Sequence, residues 1–218
     1  MPETIITVQG QHLARYPAER ATVAVTVQFD GPERDTAVAQ ASASADAVRA
    51  AIATIGGGVR IVSAGDVRTS SERPWSNDGA QLPLVHHASL PVTVEFTDLA
   101  AVNGWLDAVL AIPGTTVQGV TWSLTERTRI AVTAEVRSRA VKDAVAKASI
   151  YAQALGLGTV TAIALADQGM LGDVAPQPGH GGFERAMAMK SSDGGPQLAL
   201  SAEEVEVAAA VDARFVAS

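Results

Sequence analysis

Along several stretches of the chain, hydrophobic and polar positions alternate in steps of two. Over residues 21–29, Val23, Val25, Val27 and Phe29 alternate with Thr22, Ala24, Thr26 and Gln28, the period of a strand with one buried face. Residues 3–10 read as an earlier strand, and Pro17 breaks the chain between the two. Residues 59–69 read as a third strand, and Leu90, Val92, Val94 and Phe96 mark a fourth. Residues 116–124, with Val120, Trp122 and Leu124 on one face, and residues 159–166 add two more. The last strand covers 204–216, where Val205, Val207, Ala209, Val211, Ala213 and Phe215 alternate with Glu204, Glu206, Asp212 and Arg214.

Between these stretches the spacing changes to steps of three and four. Asp30-Gly31-Pro32-Glu33 suits a helix start, with proline in the first turn and acids beside it. Val38, Ala41, Ala45, Val48, Ile52 and Ile55 then form one apolar stripe, and Gly56-Gly57-Gly58 ends it. A short helix around 98–111 stops before Pro113-Gly114. The longest helix is expected over 126–155, with Thr125 as its cap. Val141, Ala144, Val145, Ala148, Tyr151, Ala152 and Leu155 line one side of it, while Glu135–Arg139 and Asp143–Lys147 are paired four apart on the other. Gly156 and Gly158 stop this helix. Residues 70–84 read as a loop from their Ser, Pro, Asn, Asp and Gly content. Residues 168–200 lack any period and are rich in Gly, Pro, Met and Ser; loops of that length are uncommon within a compact domain.

These elements predict an α+β fold: an antiparallel-rich sheet packed on one face by two long helices, with one short helix. The chain is read as a single domain over 1–218. The order strand, helix, glycine stop, strand, loop, strand describes 21–96 and again 116–216. An internal β-α-β-β duplication is therefore expected, with halves 1–97 and 98–218 of like strand order.

Composition narrows the functional classes. Aromatic residues are 4% of a chain that is 47% hydrophobic, so the core must be built from Ala, Val, Leu and Ile. The net charge of −7 opposes the positive field that a general nucleic-acid binder needs. With no cysteine, disulfides, thiolate catalysis, zinc ribbons and iron–sulfur clusters are excluded. The opening Met1-Pro2-Glu3-Thr4-Ile5-Ile6 has neither the basic start nor the apolar run of a signal peptide. No stretch approaches the ~20 apolar residues of a membrane helix. The chain as written is expected to be soluble and to stay in the cytoplasm.

Three stretches carry a family resemblance. The first is Ile6-Thr7-Val8-Gln9-Gly10 followed by Pro17-Ala18-Glu19-Arg20-Ala21-Thr22-Val23. The second is the helix ending Ala148-Ser149-Ile150-Tyr151-Ala152-Gln153-Ala154-Leu155-Gly156, then Gly158-Thr159-Val160. The third is Arg185-Ala186-Met187-Ala188-Met189, then Glu203-Glu204-Val205-Glu206-Val207. In this order and spacing they resemble the SIMPL-domain family of bacteria, a domain of unknown function, over roughly residues 3–216. The resemblance implies relatives mostly in the periplasm or at the envelope, some of them ring-forming homo-oligomers, and supplies no catalytic residues. The missing signal peptide departs from that pattern.

The candidate chemistry is sparse. His86-His87 would point to opposite faces of a strand and so cannot readily share one metal ion; His12 and His180 lie in other segments. The glycines at 56–58 and 156–158 follow helices, whereas phosphate loops precede them. No GxSxG elbow, HExxH helix or phosphate-loop motif is present. Arg127, Arg129, Arg137, Arg139, Lys142 and Lys147 gather on the long helix, but Glu126, Glu135 and Asp143 interleave with them, which reads as a solvated face. Met170, Phe183, Met187 and Met189, in the long loop, are the candidate partner contacts, because methionine adapts to irregular apolar surfaces. The expectation is a non-enzymatic scaffold that self-associates into a homo-oligomer, without a cofactor, a metal or a nucleic-acid partner. The alternatives are a small-molecule or peptide-binding module and, third, an enzyme with no recognisable motif.

Overall fold

The computed structural model describes residues 3–75, 81–171 and 200–218. In chain order the elements are β1 (Thr4–Pro17), β2 (Arg20–Gly31), α1 (Arg34–Ala53), β3 (Val59–Ala64), β4 (Arg68–Glu72), β5 (Val85–Phe96), α2 (Ala101–Leu110), β6 (Thr115–Ser123), α3 (Glu126–Ala154), β7 (Val160–Asp167) and β8 (Glu204–Ala217). The α+β class expected from the periodicities is the one that forms, with antiparallel strands divided between two sheets. The chain also forms two compact units. Of the described residues, one holds 3–16, 126–171 and 205–218, and the other holds 17–75, 81–125 and 200–204. These units are discontinuous in sequence and do not coincide with halves 1–97 and 98–218.

The 17–125 unit carries the larger sheet, ordered β3-β5-β2-β6, with β4 also paired to β5. Its registers set Val23 against Val94, Val25 against Val92, and Val27 against Leu90. The two-residue period thus puts every apolar member on one face. Against that face lie Ala37, Ala41, Ala45, Val48 and Ile52 of α1, and Val102, Trp105, Leu106 and Val109 of α2. The alanines of α1 let its backbone come close to the sheet. The aromatic bulk is concentrated where Phe96 meets Trp105, with ring centroids 5.2 Å apart and tilted by 60°. Residues 68–72, of which Ser70, Ser71 and Glu72 lie inside the segment read as a loop, form β4 instead. The cause is tertiary: β5 begins at Val85 and supplies a pairing edge for them, which outweighs the turn-forming serines.

The other unit has the order β1-β8-β7. Contacts Gln9–Asp212 and Arg15–Glu206 move up β1 as they move down β8, as an antiparallel pair requires. Its core is Ile6, Val8, Val211, Ala213, Phe215 and Ala217 from the strands, under Ala140, Ala144, Ala148 and Ala152 of α3. The two long helices, expected on one sheet face, thus each have their own sheet. At Gly10 a Cβ would sit 2.1 Å from the Ala140 carbonyl oxygen and 2.6 Å from the Ala144 nitrogen. Only glycine permits that approach. Asp143 then fastens the helix to the strand: it accepts the Gln11 backbone N–H at 2.8 Å and pairs with Lys147, which donates to the Gln9 carbonyl. The Lys147 bond, then the Gln11 N–H, hold the Asp143 carboxyl below the ordinary range. Among the described residues no helix is long and apolar enough to cross a membrane.

Candidate functional site

One end of the larger sheet gathers His86 and His87 with Asp30, Ser71 and Glu72. Asp30 closes β2 opposite His87 on β5, and Ser70 of β4 lies opposite the same histidine. Strand alternation then turns Asp30, His87 and Glu72 to one face. His87 Nδ1 is 2.6 Å from Asp30 Oδ1, and its Nε2 is 3.4 Å from Glu72 Oε1. The Asp30 hydrogen bond raises the pKa of His87. Burial opposes this rise, and the charges of Asp30 and Glu72 add to it. His86 points the other way and hydrogen-bonds Ser71 Oγ at 2.6 Å.

Beside this cluster is an apolar trough of about 350 Å³ between Gly31-Pro32 and the segment Leu82-Pro83-Leu84-Val85, with Pro74 and Asp30 on its wall. Arg73 donates to the Leu82 carbonyl and ties the two arms of that segment together.

A second polar group sits near the other end of β5. Glu95 accepts from Arg60 Nε at 2.8 Å and from Arg20 at 3.0 Å, both at the same carboxylate oxygen. The Arg60 hydrogen bond is the main cause that holds Glu95 below its ordinary pKa; burial works against it and Arg20 assists. With Gly58, Val59 and Thr97 these residues line a hollow of about 330 Å³. Nothing in the sequence announces this triad, because its members are separated by 35 and 75 positions. Only the pairing of β2 and β3 on either side of β5 brings them together.

The other candidates separate. His12 lies on β1, in the other unit, and His180 falls outside the described residues. No group of three or more His, Cys, Asp or Glu able to hold a metal occurs among the described residues. Ser71 and His86 have the spacing of a nucleophile and base, yet no carboxylate is paired with His86 among the described residues, so nothing orients the ring for proton transfer. Gly56, Gly58 and Gly156 have positive φ after their helices, which is helix-terminating geometry. On α3, Arg129 pairs with Glu126, Arg139 with Glu135, and Lys147 with Asp143. Met170 sits in the turn after β7, its N–H bonded to the Asp167 carbonyl, and its side chain is 75% exposed. Phe183, Met187 and Met189 lie outside the described residues.

A further surface feature was not legible from motifs. Among the described residues β7 has a neighbour on one side only, since β8 is its one partner in the sheet order. From Val160 to Ala166 it carries no charge and no proline. Ile163 and Leu165 are 52% and 56% exposed.

A model of the family described as SIMPL, protein of unknown function (DUF541), matches residues 6–215. No curated protein matches the chain. Solved structures with partial likeness include AtUAH in complex with glyoxylate, at 15% identity and TM-score 0.33, covering 58% of this chain and 34% of that one. A hydantoinase/carbamoylase family amidase from Burkholderia ambifaria is similar at 13% identity and TM-score 0.27, covering 56% and 34%. A putative amidohydrolase/peptidase from Burkholderia cenocepacia is similar at 15% identity and TM-score 0.30, covering 65% and 36%. The chain spans about a third of the length of these structures, and likeness this slight bears on neither its fold nor its chemistry.

Proposed function

The chain belongs to the SIMPL family of proteins of unknown function, and from that premise we propose that it is a non-enzymatic assembly protein that pairs with copies of itself. The observation that supports this most directly is the edge of β7 that no described strand covers. An edge strand presents unpaired backbone N–H and C=O groups, and proteins that stay monomeric blunt such edges with charge, proline or cover. β7 carries neither charge nor proline from Val160 to Ala166, and two large apolar side chains stand exposed along it. Its one irregularity is the bulge at Ile163, where the register shifts between Ala162 and Ala164. A bulge re-aims a side chain, and Ile163 is exposed there. Absolute mass by light scattering on a size-exclusion column, over a range of protein concentrations, tests the reading. A discrete oligomer is expected; a monomer at every concentration overturns it.

A second reading rests on the trough at Pro32, Pro74 and Pro83. Its apolar walls and the adjoining Asp30 suit a small ligand with an apolar body. Native mass spectrometry of freshly purified protein would show a co-purifying mass under this reading.

A further inference from the structure

We infer that Asp30, His87 and Glu72 form a proton-held clasp that fastens the edge strand β4 to the centre of its sheet. β4 is five residues long, every one of them exposed, and among the described residues β5 is its only strand partner. Apolar burial therefore contributes little to holding it. The clasp crosses three strands: Asp30 comes from β2, His87 from β5 and Glu72 from β4.

Each ring nitrogen of His87 faces a carboxylate oxygen, at 2.6 Å on the Nδ1 side and 3.4 Å on the Nε2 side. An ionised carboxylate only accepts hydrogen bonds, and a neutral imidazole donates from one nitrogen alone. A neutral ring bonded to Asp30 would turn its Nε2 lone pair towards Glu72. That nitrogen is buried and has no hydrogen-bond partner within normal geometry, and the carboxylate oxygen stands 3.4 Å from it. The doubly protonated ring removes the conflict by donating on both sides. Glu72, at 72% exposure, has room to move in and complete the second bond.

The charged groups that face the ring are Asp30 from β2 and Glu72 from β4. Arg68 is set against Ser89, farther along β5. The neighbouring Arg34 of α1 donates to Thr69, Arg73 donates to the Leu82 carbonyl, and His86 on the opposite face is engaged by Ser71. Among the described residues no Lys or Arg is ion-paired with Asp30 or Glu72, in keeping with the raised pKa of His87. A group whose folded pKa is raised supplies its stabilisation fully below the unfolded value and loses it as pH rises through the folded value. The clasp is closed on the acid side of neutrality and opens as pH rises past the folded pKa of His87.

Hydrogen exchange of the full chain, followed by NMR from about pH 5 to about pH 8 where histidine changes charge, tests this. Protection of the Thr69–Glu72 amides, corrected for intrinsic exchange, should fall with rising pH, by about tenfold for each unit by which His87 is raised. The β2–β5 amides should hold constant. The variant His87→Gln, which cannot carry the charge, should show low, pH-independent protection in β4. Glu72→Gln changes an exposed side chain and leaves folding intact; it should lower the His87 titration midpoint in the ring-proton spectrum. Unchanged β4 protection across the range, or His87 titrating at or below the ordinary histidine value, would overturn the clasp.

Discussion

Gly10 fixes how closely α3 lies on β1. The atoms that a Cβ would strike there are the Ala140 carbonyl oxygen and the Ala144 nitrogen. Both are helix backbone, and neither can swing aside as a side chain would. Gly10→Ala must therefore push the helix off the strand, at a cost of about 3 kcal/mol, the upper end of the range for overpacked cores. Gly31 is the matched control, since nothing lies within 4 Å of a Cβ there; Gly31→Ala should shift stability by about 0.5 kcal/mol or less. Urea unfolding of the two variants measures the contrast. Glu95 gives a pH prediction of opposite sign to that of His87. Its pKa is lowered, first by Arg60, so its stabilisation is present above the ordinary carboxylate value and is lost as pH falls through the depressed folded value. Stability of the native chain should thus decline more steeply than that of Glu95→Gln between about pH 5 and about pH 3. Parallel slopes in a pH series of denaturation curves would show that the Arg20–Glu95–Arg60 triad does not couple to folding.

At the level of the element, what could be read in the sequence was whatever a single element settles by itself. The alternation of Val23, Val25 and Val27 and the spacing of Ala41, Ala45, Val48 and Ile52 encode strand and helix directly, because one buried face imposes the period. Partner choice is not encoded that way. Nothing local tells α1 and α3 to take separate sheets, or brings Arg20 and Arg60 to the same oxygen of Glu95. β4 was hidden for a related reason: its Arg68-Thr69-Ser70-Ser71-Glu72 sequence is polar throughout and becomes a strand only because β5 offers an edge. The histidine pair was half legible. Opposite orientation followed from strand geometry, but the identity of each partner depended on the registers of β2 and β4. The same dependence makes β7 the most informative element to mutate. Leu165→Lys places a charge on its apolar, exposed side and should block edge pairing. At 56% exposure the substitution disturbs little internal packing. Under the assembly reading it should lower the mass measured by light scattering while the thermal transition of the chain stays sharp. An unchanged mass would move the search for a contact surface away from this edge.

At the scale of the whole molecule, the two units repeat one scheme. In the 17–125 unit, β2, α1, β3 and β5 follow in sequence, and the strands lie in the order β3-β5-β2. In the other unit, β1, α3, β7 and β8 lie in the order β7-β8-β1. The first strand of the second set is β1 rather than residues 115–123, which as β6 extend the larger sheet beside β2. One β-α-β-β set is therefore interrupted, between its first strand and its helix, by the chain of the other. The interrupting stretch contains the whole β3-β5-β2-β6 sheet, β4 and both helices packed on it. From outside that stretch, Leu200 exchanges hydrogen bonds of 3.0 and 3.1 Å with the Asn103 side chain and packs on the edge of its core. Losing that contact should cost about 1–3 kcal/mol. A fragment of residues 17–125 is therefore expected to fold alone and to unfold cooperatively in urea. Its near-UV circular dichroism should be structured, because Trp105 and Phe96 stay locked against each other. A broad transition with the near-UV signal lost would mean that this sheet depends on the rest of the chain, and that the repeated scheme is not a repeated folding unit.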